Sequence, residues 1–389
     1  VLAIRAARLF DGVAANPVPR PLVLVEADRI VGVRSGGDPP AAARFVDLGD
    51  VTLLPGLVDA HTHLVFDASA DPVGALADAD DEDLLAGMRG AAATALAAGI
   101  TTVRDLGDRG FLAVRLRDEL AGDPTGGPRV LAAGPPITVS SGHCWYLGGE
   151  ADGVDGVRAA VRERAERGVD TVKVMATGGE LTPGTRPEEA TYGPAELRAA
   201  AEEAHRHGLP ITAHAHAVAG LRNAVEAGFD MVEHGSFLTA DGPRADPAVV
   251  DAMLRSGVVV SATMGALPGF PVPPQVAAIV PRLVAVFARL RAAGIPVICS
   301  SDGGIGPHKP HDLLPHSADM MVNVNGYPTV EALRAVTSAA AEACGIGARA
   351  GRVAPGFDAD LLAVTGDPLA DIAALRDVRA VFRAGHRVR

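Results

Sequence analysis

The alternation of apolar and polar positions changes character twice along the 389 residues. Over the first fifty, the runs LAIRAARLF, PLVLVEADRIVGV and ARFVDLG alternate roughly by twos, with Gly, Pro and Asp between them. That is the signature of short, half-buried strands. The last thirty-five residues return to it in DADLLAV and VRAVFRAGHRV. Neither stretch can close a stable sheet by itself. The two termini, 1–54 and 355–389, are therefore expected to pair into one small β-domain.

Between them, over 55–354, short continuous apolar runs alternate with alanine-rich segments of helical period such as ELRAAAEEAHRHG and VPRLVAVFARLRAAG. The strand-like runs fall at 57–64, 101–107, 129–134, 171–176, 211–216, 231–235, 258–264 and 297–302, and Gly99, Gly168, Gly208, Gly228, Gly257 and Gly294 stand where helices should stop. Eight βα units in series predict a parallel α/β sheet with right-handed crossovers, and eight strands close naturally into a (β/α)₈ TIM barrel. A doubly wound open sheet is the alternative, but no GxGxxG follows an early strand.

Composition narrows the partners. The net charge is −12 and the basic residues are scattered, which argues against nucleic acid or an anionic membrane. No apolar run reaches the roughly 18 residues of a membrane span. A small-molecule substrate is expected, with assembly into a homo-oligomer left open. Three scattered cysteines exclude a disulfide framework or CxxC metal site and point to a reducing cytoplasm, and no signal-like stretch follows Val1. Of 35 basic residues, only Lys173 and Lys309 are lysines.

The chemistry concentrates at strand ends. GLVDAHTHL closes the first barrel strand with His61 and His63, whose i, i+2 spacing sends both imidazoles to one face. Alone, such a pair would equally describe two surface histidines. TVKVMATGG, ITAHAHA, MVEHGSF and VICSSDGG then add Lys173, His214, His234 and Asp302 to the same C-terminal rim. Barrel enzymes build their sites there, and imidazole with carboxylate suits zinc and similar divalent ions. Lys173 lies between valines, directed inward. A buried ammonium is costly and would repel the ions that the histidines suggest. Addition of carbon dioxide to its neutral amine would give a carbamate able to bridge two metals; pairing with Glu180 or Glu233 is the other explanation.

These segments, with LLPGLVDAHTHL, TTVRDLG and the terminal GRVAPGFDADLLAV, run in order over nearly the whole chain, which closely resembles the amidohydrolase superfamily. The resemblance implies a distorted barrel with a β-sandwich built from both termini. It implies that His61, His63 and Asp302 hold one of two divalent metals, zinc being expected. His214 and His234 would hold the second, and Lys173, carboxylated by carbon dioxide or bicarbonate, would bridge them. A metal-bridging hydroxide would then attack an amide carbonyl while Asp302 moves the proton to the leaving nitrogen. Ser300, Ser301 and Cys299 read as ordinary strand residues.

Within the superfamily the chain looks most similar to imidazolonepropionase-like hydrolases and Xaa-Pro or Xaa-Arg dipeptidases. That implies a dipeptide or N-acyl amino acid as substrate, with a cyclic amide, carbamate or urea as the alternative. The loop TVSSGHCWYLGGE supplies His143, which resembles that branch's carboxylate-contacting histidine. Trp145, Tyr192 and His216 are further candidates for the pocket. A mononuclear deaminase would lack the strand-four lysine, and a non-catalytic binding barrel would have lost ligands. His205 and His207 read as solvated, and His308, His311 and His316 as part of an exposed polar loop, with a lid over the site, its Lys309 meeting an anionic substrate group, as the alternative.

Overall fold

The computed structural model describes residues 1–271 and 274–389. Its terminal segments form two layered sheets. In one, Leu2–Arg5 pairs antiparallel with Pro21–Glu26 and parallel with Arg44–Asp47. In the other, Val51–Pro55 lies between Leu361–Thr365 from the far end of the chain and Arg8–Leu9. Ile4, Val23, Ile30, Leu53, Leu361 and Phe382 pack between the sheets. The expected union of the two termini is therefore present, as a β-sandwich. It forms because each terminal segment presents one apolar face that only the other can cover.

The eight expected barrel strands are Leu57–Thr62, Ile100–Asp105, Arg129–Ala132, Val172–Met175, Ile211–Ala217, Met231–Leu238, Val259–Ala262 and Val297–Cys299. They are almost wholly buried, as parallel strands covered by helices must be. They run as two parallel arcs, one of strands one to three and one of strands four to eight. Single parallel bridges, Ile137 to Val174 and Thr62 to Gly303, stitch the arcs at both seams. The ring is thus a distorted (β/α)₈ barrel. The distortion has a use: at the second seam Asp302 N donates to His61 O at 2.8 Å and His63 N to Gly303 O at 2.9 Å. Strand eight is held to strand one at the very residues carrying the candidate chemistry.

The helices follow sequence rules closely. Pro194–Arg206 buries Leu197, Ala200, Ala201 and Ala204, one stripe at helical spacing. Pro247–Ser256 starts on Asp246, whose carboxylate accepts the amides of Ala248 and Val249 at 2.9 and 3.2 Å, and stops at Gly257 with φ 72°. No helix among the described residues is long and apolar enough to cross a membrane.

Candidate metal centre

The C-terminal ends of the barrel strands surround a cavity of about 340 Å³ whose lining includes His61, His63, Lys173, His214, His234 and Asp302. Parallel register accounts for the convergence. Lys173 lies beside Thr212, two residues below His214, and His234 lies beside Ala215, one above it, so strands four, five and six present their polar residues at stepped heights around the rim. Two donor groups result. His61, His63 and Asp302 form one, and His214, His216 and His234 the other, each with ligand atoms within 4.8 Å of one another. His234 and Asp302 have φ of 69° and 57°. The left-handed region is costly for such side chains and persists where the surrounding structure enforces it, often at functional sites.

Hydrogen bonds fix which ring nitrogen faces inward. His61 Nδ1 donates to Glu233 Oε2 at 2.9 Å, and His63 Nδ1 to the Gly107 carbonyl at 3.2 Å. Burial lowers the His61 pKa to about 4, so the ring is neutral and its Nε2 carries a lone pair. With its Nδ1 on the Gly107 carbonyl, His63 turns Nε2 toward that of His61, and the two nitrogens face each other across 3.2 Å. Asp302 Oδ1 converges on the same point, so two imidazole nitrogens and a carboxylate oxygen lie within reach of one cation. His214 Nε2 donates to Gly178 O at 3.0 Å, turning Nδ1 toward His234 Nε2 at 2.9 Å, while His234 Nδ1 rests on the Thr263 hydroxyl at 2.7 Å. Such outer partners orient metal-binding imidazoles.

Lys173 is 1% exposed. Its Nζ lies 3.5 Å from His61 Nε2, and among the described residues no carboxylate pairs with it. The alternative of a lysine paired with Glu180 or Glu233 is therefore not what the structure holds. Glu233 is committed to His61, to Arg104 Nη2 at 2.9 Å and to the Thr212 hydroxyl at 2.7 Å. Burial pulls the Lys173 pKa down to about 8, which favours the neutral amine. Asp302 Oδ1 stands 3.4 and 3.5 Å from the Nε2 atoms of His61 and His63, and Oδ2 is 3.8 Å from Lys309 Nζ. Burial opposes its ionisation, yet His61 and Lys309 hold its pKa well below the usual carboxylate range.

The chain matches the model of the Amidohydrolase family over residues 52–388. The chain belongs to the amidohydrolase family. Ochratoxinase of Aspergillus niger is 27% identical over 367 residues, covering 85% of this chain and 73% of that protein. Imidazolonepropionase of Chromobacterium violaceum is 30% identical over 353 residues, covering 81% and 77%. A crystal structure of a Xaa-Pro dipeptidase with bound methionine superposes with a TM-score of 0.87 at 28% identity, over 99% of this chain and 98% of the other. The protein is accordingly a metal-dependent hydrolase of amide-type bonds.

Not every expected residue of this amidohydrolase reaches the cavity. His143 does: its buried Nδ1 has no partner among the described residues, its ring centroid is 4.7 Å from that of His214, and it packs so tightly on Gly179 that a Cβ there would sit 2.4 Å from Nε2. His216 also lines it, stacked on His234 with centroids 4.2 Å apart and Nδ1 2.9 Å from the Ser236 hydroxyl. Trp145 and Tyr192 are corrections, since neither lines the cavity. The left-handed Cys144, φ 59°, turns the chain so that Trp145 points out and is 45% exposed. Tyr192 is buried in the protein core and donates to Ala151 O at 2.6 Å.

The loop after strand eight reaches the cavity. His311 is buried and donates to His63 O at 3.2 Å, while His308 and Lys309 line the cavity. Lys309 Nζ donates to the carbonyls of Thr263 and Ser301 at 2.7 and 3.0 Å. Sequence reasoning missed Glu233 and Arg104 as orienting groups. The one signal available was a pair of ionisable residues inside otherwise apolar strands, in MVEHGSF and TTVRDLG.

Proposed function

We propose that this amidohydrolase cleaves the amide bond of a dipeptide or N-acyl amino acid, with two divalent ions, zinc in the first instance, at the centre described above. His61, His63 and Asp302 would hold one ion, His214 and His234 the other, and a carboxylated Lys173 would join them. The observation that carries this reading is the convergence of His61 Nε2, His63 Nε2 and Asp302 Oδ1 within 3.5 Å of one another, beside a buried lysine that has no carboxylate partner among the described residues. The donor set fits cations bridged by an anion. When bound, the ions supply Lewis acidity toward the carbonyl and a water acidic enough to ionise near neutral pH.

This chain's residues do the rest. Asp302 accepts the attacking water's proton and delivers it to the departing nitrogen, its charge steadied by Lys309. Glu233 and Gly107 keep His61 and His63 in the ligating tautomer. His143, neutral because burial depresses its pKa to about 3, donates its Nδ1–H to the substrate's carboxylate. The three free, buried cysteines support a reducing cytoplasm as the setting. A cyclic amide is the second reading, favoured by the likeness to imidazolonepropionase.

His61→Ala and His234→Ala should each lower bound metal and abolish turnover while leaving the melting temperature close to that of the unsubstituted protein. Full activity with unchanged metal content would sink the ligand assignment. The substrate class is tested by turnover of the metal-loaded enzyme on dipeptides, N-acyl amino acids and cyclic amides, followed by His143→Ala. That variant should lose kcat/KM on carboxylated substrates by about 10-fold or more, the scale of one hydrogen bond to a charged group. It should keep its metal and change little on the matching neutral amides. Equal losses on both would make His143 a packing residue.

A further inference from the structure

The cavity has two unlike sides. Histidines, Lys173 and Asp302 form one. The other is apolar, and much of it comes from a single helix, Pro274–Ala292. Val276, Ile279, Val280, Leu283 and Val284 line the cavity from this helix at i, i+3, i+4, i+7 and i+8, which is one continuous stripe. The far end of the same helix buries Val286, Phe287 and Leu290 in the protein core, whereas the stripe is only half-buried. Leu238, Met264 and Ile305 continue the apolar surface from the ends of strands six, seven and eight. Arg282, on the helix's other side, is tied to the Asp241 carbonyl and stays out of the cavity.

Among the described residues no arginine lines this space, and Lys309 already serves two carbonyls and faces Asp302. An anionic substituent would therefore be desolvated there with no free cation to pair with it. An apolar one would cover side chains that otherwise stand in water. With the substrate's carboxylate on the amine side given to His143, the apolar wall is left to the acyl side, and we propose that the substrate carries a large apolar group there, a phenyl ring or an alkyl chain of similar bulk, for which the stripe of helix Pro274–Ala292 selects. This rests on the amide-hydrolase reading above. Leu283 and Val280, at the stripe's centre, are the specificity-determining residues.

The test uses two series on the metal-loaded enzyme. The first is kcat/KM on N-acetyl-, N-butanoyl-, N-hexanoyl- and N-(3-phenylpropanoyl)-glycine. The second is the calorimetric Kd of the four corresponding free acids, which need no turnover. Both kcat/KM and affinity should rise by about fourfold for each added methylene, the value of burying one in an apolar site. Leu283→Asn should flatten both series. Ala285→Gln, on the exposed side of the helix, should leave both slopes as they are. Flat series in the unsubstituted enzyme, or a slope that survives Leu283→Asn, overturns the proposal. If no amide is cleaved but the acids keep their slope, the pocket stands and the amide-hydrolase reading falls. If amides are cleaved equally and the acids bind equally, the reading stands and the pocket falls.

Discussion

Lys173→Arg is expected to abolish turnover and strip metal from the centre, although arginine is this chain's preferred cation by 33 to two, counting 35 basic residues less Lys173 and Lys309. The expectation follows from three observations. The Lys173 ammonium would be buried without a carboxylate partner, 3.5 Å from the nitrogen that His61 turns toward the cavity. Burial brings its pKa to about 8, so the neutral amine needed to add carbon dioxide is accessible near physiological pH. A guanidinium stays protonated, cannot form a carbamate, and would place a fixed positive charge among the metal ligands. Loss of metal affinity should exceed the 10- to 100-fold typical of removing an outer partner of a metal ligand, roughly. Metal analysis after dialysis, alongside activity, reads both effects. Lys173→Ala should lose metal and activity as well, but bicarbonate or a short carboxylic acid should restore part of each by filling the vacated bridge. An arginine variant with normal metal content and rate would exclude the bridge.

Asp302→Asn should keep much of the metal and lose the rate. The substitution preserves shape and one oxygen donor, and asparagine tolerates the left-handed backbone that Asp302 adopts at φ 57°. The hydrogen bond from its amide to His61 O is untouched, so strand eight stays locked to strand one. What disappears is the base. A positioned proton acceptor is worth about 10² to 10⁴ in rate, so kcat should fall by at least about 10² while KM changes less. Steady-state kinetics on the best substrate of the screen measures it. A rate within a few-fold of the unsubstituted enzyme would remove Asp302 from proton transfer.

Much of this architecture was legible in the residues because it rests on periodicity. Eight apolar runs became eight parallel strands, and the i, i+2 pair of His61 and His63 lines one cavity because side chains alternate along a strand. What stayed hidden depends on contacts far apart in sequence. Glu233 orients His61 across 172 positions, and His311 reaches His63 across 248. A polar loop reads the same whether it is solvated or folded back onto a rim. Loop aromatics misled for a related reason: the left-handed turn at Cys144, which sends Trp145 outward, has no glycine to announce it. The segment VPRLVAVFARLRAAG reads correctly as a helix. Its amphipathic stripe did not reveal that it packs over the reactive cavity, since a stripe specifies that a face is covered and not by what.

The two-ion centre bridged by a modified lysine is the central claim, and a crystal structure of the fully active, metal-loaded enzyme with anomalous scattering data tests it most directly. Two anomalous peaks should lie among His61, His63, His214, His234 and Asp302, with three additional non-hydrogen atoms in density on Lys173 Nζ. A single peak, or an unmodified Lys173 amine in crystals whose dissolved protein shows full activity and full metal content, would contradict it.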